Sequence, residues 1–145
     1  FSPATRDWFT GAFAAPTAAQ AGAWSAVGSG QHALVVAPTG SGKTLAAFLW
    51  ALDGLLAPRA GEPVPQSPVE RCRVLYVSPL KALASDVERN LRSPLVGIRQ
   101  ASTRLGLTAP DVTVGVRTGD TPPAERRAFA TKPPDILITT PESLY

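Results

Sequence analysis

A short glycine-rich string at residues 37–44, APTGSGKT, constrains the fold of this chain more than any other feature. An apolar run at 32–36 precedes the string, and apolar side chains recur at helical spacing from Leu45 to Leu56 after it. Gly40 and Gly42 allow the backbone to turn closely with its N–H groups pointing inward, and the helix that follows presents its positive end to the same place. The string therefore predicts a phosphate-binding loop between a buried strand and a helix.

Two side chains at the end of this P-loop carry its predicted chemistry. Lys43 is long enough to reach the β- and γ-phosphates of a nucleoside triphosphate, and the Thr44 hydroxyl suits Mg²⁺. We assign Lys43 and Thr44 as catalytic residues, with Thr44 as the metal ligand. The loop residues assigned to nucleotide binding beside them are Thr39, Gly40, Ser41 and Gly42. Because Ala37 replaces the first glycine of the usual pattern, the alternative is a glycine-rich turn with an ordinary surface lysine.

Length, charge and cysteine content exclude several classes of protein. A chain of 145 residues suffices for one domain with a core, and its net charge of +3 permits a nucleic-acid partner without requiring one. The lone cysteine, Cys72, excludes a disulfide framework, and its apolar surroundings predict a buried position. No stretch is apolar enough to span a membrane and no signal-peptide pattern is present, so we expect a cytoplasmic protein with no membrane partner.

The sequence also lacks two features of a complete P-loop ATPase. It contains no methionine, so residue 1 is not expected to be a native start. Such ATPases hold Mg²⁺ with an apolar strand that ends in an acidic residue, yet Asp135 precedes the run 136–138 and the run 74–77 ends in Ser78. We therefore expect a piece of a larger enzyme that stops before the catalytic carboxylates and is inactive by itself.

Hydrophobic periodicity predicts helices that alternate with strands, which is typical of an α/β fold with a parallel sheet and helices on both faces, a three-layer arrangement. The segment 57–69 is rich in proline and predicts an exposed connection. The predicted helices are 3–13, 17–27, 43–56, 79–92, 94–105 and 122–131, and the predicted strands are 32–37, 71–77, 111–116 and 135–139.

A hydroxyl residue followed by proline comes directly after two of these strands. Ser78 and Pro79 follow the strand 71–77, and Thr140 and Pro141 follow the strand 135–139. A hydroxyl suits a helix N-cap and proline suits the first helical position, so each pair predicts a positive helix terminus at the carboxyl edge of the sheet. Two such termini beside the P-loop would suit successive phosphates of a nucleic-acid backbone. Plain helix capping without a ligand is the alternative.

Five segments now resemble, in order, the motifs of superfamily 2 helicases. The residue sequence of the later segments is similar to that of the large helicase-related (Lhr) proteins. Helicases similar to the archaeal repair helicase are the nearest alternative. The segments are the Q motif at Phe13, Pro16, Thr17 and Gln20; motif I at 37–44; motif Ia at 78–83; a nucleic-acid-contact turn at 118–120; and motif Ib at 140–143.

The resemblance implies the N-terminal part, residues 1–145, of the first RecA-like domain of an ATP-dependent 3′-to-5′ helicase or translocase, with ATP and Mg²⁺ as cofactors. It implies that Gln20 recognises the adenine edge. Implied partners are single-stranded DNA or RNA and a second RecA-like domain of the same protein, and the implied location is the bacterial cytoplasm at the nucleoid. The implied nucleic-acid contacts are Ser78, Pro79, Lys81, Thr118, Gly119, Thr140, Pro141 and Glu142.

Several alternatives stay open at this point. A P-loop ATPase that does not act on nucleic acid is the second function, and a non-catalytic scaffold module is the third. The aromatic residues Trp8, Phe9 and Phe13 suit either core packing or a place near the base. A basic stretch forms either a nucleic-acid groove or a solvated helix face, since Asp86 and Glu88 interrupt it. Its members are Arg89, Arg92, Arg99 and Arg104.

Overall fold

A computed structural model of the chain describes residues 1–57, 67 and 70–144. The predicted connection at 57–69 therefore lies almost entirely outside the described residues. The order of elements is α1 (Pro3–Ala12), α2 (Ala18–Gly28), α3 (Lys43–Leu56), β1 (Val74–Val77), α4 (Lys81–Arg104), β2 (Val114–Arg117), α5 (Pro123–Thr131), β3 (Ile136–Thr139) and a 3₁₀ turn (Pro141–Ser143).

The first of two compact units comprises Phe1–Pro58 and Pro94–Pro110 and is helical. Helix α3 supplies much of its buried apolar surface through one face, because Leu49 and Leu52 have no exposed area. The Trp24 indole N–H donates to the Ala46 carbonyl at 3.1 Å and ties α2 to α3. Ser2 caps α1 through its hydroxyl, which accepts from the Thr5 N–H at 3.3 Å. This packing fixes the start of α3, where the P-loop ends.

The second unit comprises Arg59–Ser93 and Asp111–Tyr145 and contains a three-stranded parallel sheet in the order β1-β3-β2. Parallel neighbours need crossover connections, which α4 and α5 provide. The central strand β3 is buried, since Ile136 and Ile138 have no exposed area. A Cβ atom on Gly115 in β2 would lie 2.9 Å from the Phe129 ring of α5, so this glycine allows the helix to approach the strand. The α/β class with a parallel sheet is confirmed.

The predicted strand at 32–37 is wrong for the described structure. These residues have no assigned secondary structure, and Leu34 and Val36 are 91% and 88% exposed. A strand exists only where its backbone N–H and C=O groups pair with a neighbour, and no pairing partner of this segment is found among the described residues. Apolar sequence alone did not decide its conformation.

Two further predictions, one inside α4 and one just before β1, also need correction. The predicted break before Pro94 is absent, because α4 continues from Lys81 to Arg104 with the proline inside it. Proline removes a single N–H donor, and burial of Leu91 and Ile98 on either side favours the continuous helix. Cys72 is exposed rather than buried, because β1 begins only at Val74.

Among the described residues, no helix combines the length and apolarity that a membrane crossing needs.

Candidate functional site

The P-loop approaches α3 through two glycines in the left-handed region of backbone conformation. Gly40 has a φ of 84° and Gly42 a φ of 77°, values that other residues rarely adopt. Gly42 is the N-cap of α3, and no side chain caps the helix. The first backbone hydrogen bond of the helix runs from the Ala46 N–H to the Gly42 carbonyl, at 2.9 Å. The N–H groups of residues 43–45 therefore have no acceptor within the helix, and unpaired N–H groups at a helix N-terminus attract anions.

The half-buried Lys43 ammonium lies within the loop. It donates to the Pro38 carbonyl at 2.7 Å and also to the Ala37 carbonyl. The positive charge therefore lies where the loop begins, directly after residues 32–36. A phosphate that enters the loop would replace these two neutral carbonyl groups as the partner of the ammonium, because a charged oxyanion is the stronger acceptor. Thr44, the assigned metal ligand, is exposed at the second position of α3.

Gln20, the assigned adenine-binding residue, is buried with 5% of its surface exposed. Its Oε1 accepts from the Thr17 N–H at 3.0 Å, and its Nε2 donates to the Gly42 carbonyl at 3.3 Å. The Thr17 hydroxyl donates to the Ser41 carbonyl at 2.9 Å. The start of α2 thus holds the P-loop through two side chains. Thr17 belongs to the Q motif but was not assigned to nucleotide binding, although the capping-box spacing Thr17–Gln20 indicates its role at the start of α2.

The aromatic residues of α1 pack against one another. Phe9 lies 5.5 Å from the Trp24 ring and 5.0 Å from the Phe13 ring. Trp8 lies 5.9 Å from Phe13 and covers Gly97, where a Cβ would clash with the indole. Phe13 remains 43% exposed. Trp8 and Phe9 are half-buried and pack within this aromatic cluster.

Three hydroxyl residues end the three strands at one edge of the sheet. Val77, Thr139 and Arg117 pair in register, so Ser78, Thr140 and Thr118 follow side by side. All three are buried, at 0%, 1% and 8% exposure respectively. The predicted cap at Ser78 is wrong, because α4 begins three residues later, whereas Thr140 is the N-cap of the 3₁₀ turn with Pro141 as its first residue, although its side chain makes no capping hydrogen bond.

The hydroxyls bond within their own turns instead of capping helices. Ser78 donates to the Leu80 carbonyl at 3.0 Å, and α4 begins only at Lys81. Thr140 donates to the Ser143 hydroxyl at 3.3 Å and precedes a short 3₁₀ turn. Because the Ser78 N–H also pairs with the Thr139 carbonyl at 2.7 Å, the ladder continues past β1 and delays the helix.

A cavity of about 350 Å³ lies at this edge and gathers predicted and unpredicted residues. The nucleic-acid assignments Lys81, Gly119, Thr140 and Glu142 line it. Pro79 and Pro141 are exposed, and Ser78 and Thr118 lie beneath the surface. The residues that the sequence assignment missed are Arg117, Arg126 and Ser143.

The charges around the cavity are mostly positive. Three cationic side chains, Lys81, Arg117 and Arg126, face one lining carboxylate, Glu142. The Glu142 N–H and the Thr140 hydroxyl hold the pKa of that carboxyl below its usual value, with a smaller contribution from the Lys81 charge. Lys81 also pairs with Asp120 at 3.1 Å. The positive side chains suit a phosphate group, and the carboxylate suits a hydroxyl group beside that phosphate.

Known proteins resemble this chain in both sequence and structure. Residues 17–145 match the sequence profile described as DEAD/DEAH box helicase. The chain belongs to the DEAD/DEAH box helicase family. It is 64% identical over its whole length to "Lhr helicase/ probable uracil glycosylase" of Mycolicibacterium smegmatis, and 56% identical to "Lhr helicase/uracil glycosylase" of Escherichia coli. It spans 9% of the length of each of these relatives.

A solved structure extends the comparison to three dimensions. The structure of the Mycobacterium smegmatis helicase Lhr bound to ssDNA and AMP-PNP has a TM-score of 0.89 and 64% identity, covering 99% of this chain and 17% of that one. The resemblance to Lhr proteins and the α/β fold of a helicase domain are both confirmed.

The structure bears on the basic stretch of this helicase-family chain. The basic stretch on α4 is largely a solvated helix face, because Arg92 pairs with Glu88 at 3.2 Å and Arg104 pairs with Asp7 at 2.7 Å. Across the described parts of the chain, no group of His, Cys, Asp and Glu has the arrangement of a metal site. Asp135 precedes β3 and accepts from the Thr113 N–H at 2.8 Å, so it secures the start of the strands.

Proposed function

We propose that this chain is the N-terminal, ATP-binding part of the first RecA-like domain of an ATP-dependent motor. The motor moves in the 3′-to-5′ direction on single-stranded DNA or RNA and unwinds duplexes. A second RecA-like domain of the same protein completes the site. The carrying observation is the uncapped start of α3, reached through Gly40 and Gly42 and joined by the Lys43 ammonium. The relative bound to ssDNA and AMP-PNP supports both ligand classes.

Each residue of the loop has a physical role in this proposal. The N–H groups at the start of α3 hold phosphate oxygens, and Lys43 leaves its two carbonyl partners to neutralise the β- and γ-phosphates. The exposed Thr44 hydroxyl is a hard oxygen donor, which fits Mg²⁺, an ion that keeps several waters and needs few protein ligands. When bound, Mg²⁺ would neutralise charge on the β- and γ-phosphates. Thr17 and Gln20 hold the loop in shape.

The cavity beside the sheet is proposed to contact the backbone of a nucleic-acid strand. Lys81 supplies positive charge, and Gly119 permits close approach. Ser78 and Thr140 are buried, so they act by shaping the turns at the strand ends rather than through exposed hydroxyls. Contacts to phosphate and sugar predict weak sequence preference and strong dependence on salt.

Stimulation of ATP hydrolysis by single strands tests the function. We expect the full-length protein to hydrolyse ATP faster when single-stranded DNA or RNA is added. A P-loop ATPase that does not act on nucleic acid, the second candidate, would show no stimulation. A scaffold module would show no hydrolysis at all. Either result would contradict the motor proposal.

A lysine substitution tests the cavity. In the full-length protein, Lys81→Ala should raise the half-activating concentration of single-stranded DNA by about three- to tenfold and lower the salt slope of binding by about one. Lys132→Ala is the matched control, since Lys132 is also exposed and does not line the cavity. Equal behaviour of the two variants would remove Lys81 from the strand-binding surface.

Gln20 has a separate, nucleotide-specific test. If its amide recognises adenine, Gln20→Ala should reduce the preference for ATP over GTP by about tenfold, because a buried donor–acceptor pair that matches one base rejects another. The measurement is competition of GTP for ATP hydrolysis. If affinity for both nucleotides falls equally, Gln20 acts only through its bond to the Gly42 carbonyl.

A further inference from the structure

One arginine of α5 makes three bonds to the turn at 118–121. Arg126 donates through Nε to the Thr121 carbonyl at 3.0 Å. Its Nη2 donates to the Thr118 carbonyl at 3.2 Å and to the Gly119 carbonyl at 2.8 Å. These bonds use three of the five N–H donors of the guanidinium. One residue of this turn, Gly119, lines the cavity beside the sheet, as does Arg126 itself.

Internal bonds of the turn are weaker and involve neutral groups. The Thr121 hydroxyl accepts from the Thr118 N–H at 2.9 Å and donates to the Val116 carbonyl at 3.2 Å. The Asp120 N–H donates to the Thr118 hydroxyl at 3.3 Å. Charge-assisted bonds from an arginine are roughly twice as strong as neutral ones, so Arg126 contributes most to the shape of this turn.

We propose that Arg126 is a positioning residue that holds the turn 118–120 in the shape required to bind a nucleic-acid strand. The inference rests on the proposed function. The guanidinium also offsets the partial negative charge of these three carbonyl oxygens, which lie next to the proposed position of a strand phosphate. A lysine cannot replace it, because a single ammonium on a flexible stem does not reach three carbonyls in the fixed geometry of a planar fork.

The test compares neighbouring arginines of α5 in the full-length protein. Arg126→Lys keeps the charge and removes the fork, and Arg127→Lys makes the same change at an exposed position that does not line the cavity. We expect Arg126→Lys to raise the half-activating concentration of single-stranded DNA by about tenfold, with less than about a twofold fall in the rate at saturating DNA. Arg127→Lys should match the wild type in both.

A direct phosphate contact by Arg126 makes a different prediction. Arg126→Ala would then lower the salt slope of binding by about one, whereas loss of positioning weakens binding and leaves the slope near that of the wild type. A lowered slope would overturn the inference, as would an Arg126→Lys variant that binds like the wild type. A fall in the saturated rate with an unchanged half-activating concentration would mean a merely structural role and would also overturn it.

The proposed function fails separately from this inference. If the wild-type protein shows no activation by single strands, the motor proposal itself is wrong. If the wild type is activated and the Arg126 and Arg127 variants behave alike, only the positioning role is lost. Should Arg126→Ala fail to fold, Arg126→Lys still decides the outcome.

Discussion

Replacing Lys43 by alanine in the full-length protein is expected to abolish ATP-driven unwinding and to leave strand binding largely intact. The ammonium lies inside the loop, bonded to the Pro38 carbonyl at 2.7 Å, from where it can reach phosphate oxygens. Loss of one positioned electrostatic partner in such a site lowers turnover by about 10²–10³-fold. The measurements are single-turnover ATP hydrolysis, duplex unwinding and binding of a labelled single strand.

A lysine control separates this effect from a general change in charge. Lys132→Ala removes the same charge from an exposed position that follows α5 and should keep unwinding near the wild-type level. Retained unwinding by Lys43→Ala would refute the assignment of the loop as the motor's nucleotide site. Loss of strand binding together with unwinding would indicate that Lys43 supports the fold rather than the phosphates.

The second large effect is expected from Gly42→Ala. An alanine at a φ of 77° is strained by about 1–2 kcal/mol. Its Cβ would also clash with the buried Gln20 amide. The loop must shift to relieve both, which moves the N–H groups away from the phosphates. We expect AMP-PNP affinity of the full-length protein to fall by at least about 100-fold.

Gly40→Ala is the matched control for this prediction. Gly40 has a similar φ of 84°, but a Cβ there would meet nothing within 4 Å. Gly40→Ala should therefore introduce only the backbone strain, which lowers AMP-PNP affinity by about 5- to 30-fold. In a Gln20→Ala background the clash disappears, so Gly42→Ala should then cost no more than Gly40→Ala. An unchanged cost in that background would show that contact with Gln20 does not limit the loop.

Local patterns sufficed for the elements whose signals are local. Helix α3 begins at Lys43 and ends at Leu56, as its periodicity predicts. Strands β1 and β3 lie within their predicted ranges, and β2 extends one residue beyond its range, to Arg117; each is shorter than predicted, because only paired residues join the ladder. The P-loop was found from its glycines, its lysine and its hydroxyl, since these residue types at this spacing serve one kind of chemistry.

Contacts between distant parts of the chain were not visible in the sequence. Arg126 belongs to no motif of the sequence, and its partners come within reach only because α5 lies beside the turn at 118–121. The bond from Gln20 to the Gly42 carbonyl joins residues 22 positions apart, and no local pattern specifies it. Residues 32–37 show the reverse case, because an apolar run that predicts a strand found no partner among the described residues.

The sequence by itself determined the glycine-rich loop, the helix that follows it and the alternation of helices with parallel strands. These depend on backbone conformation and on periodicity within a few residues. Tertiary structure alone decided that Gln20 is buried against the loop, that Ser78 and Thr140 are buried, and that Arg126 bonds to the turn at 118–121. Such features depend on which hydrogen-bond partners packing brings within about 3 Å, and sequence spacing carries no information about that distance.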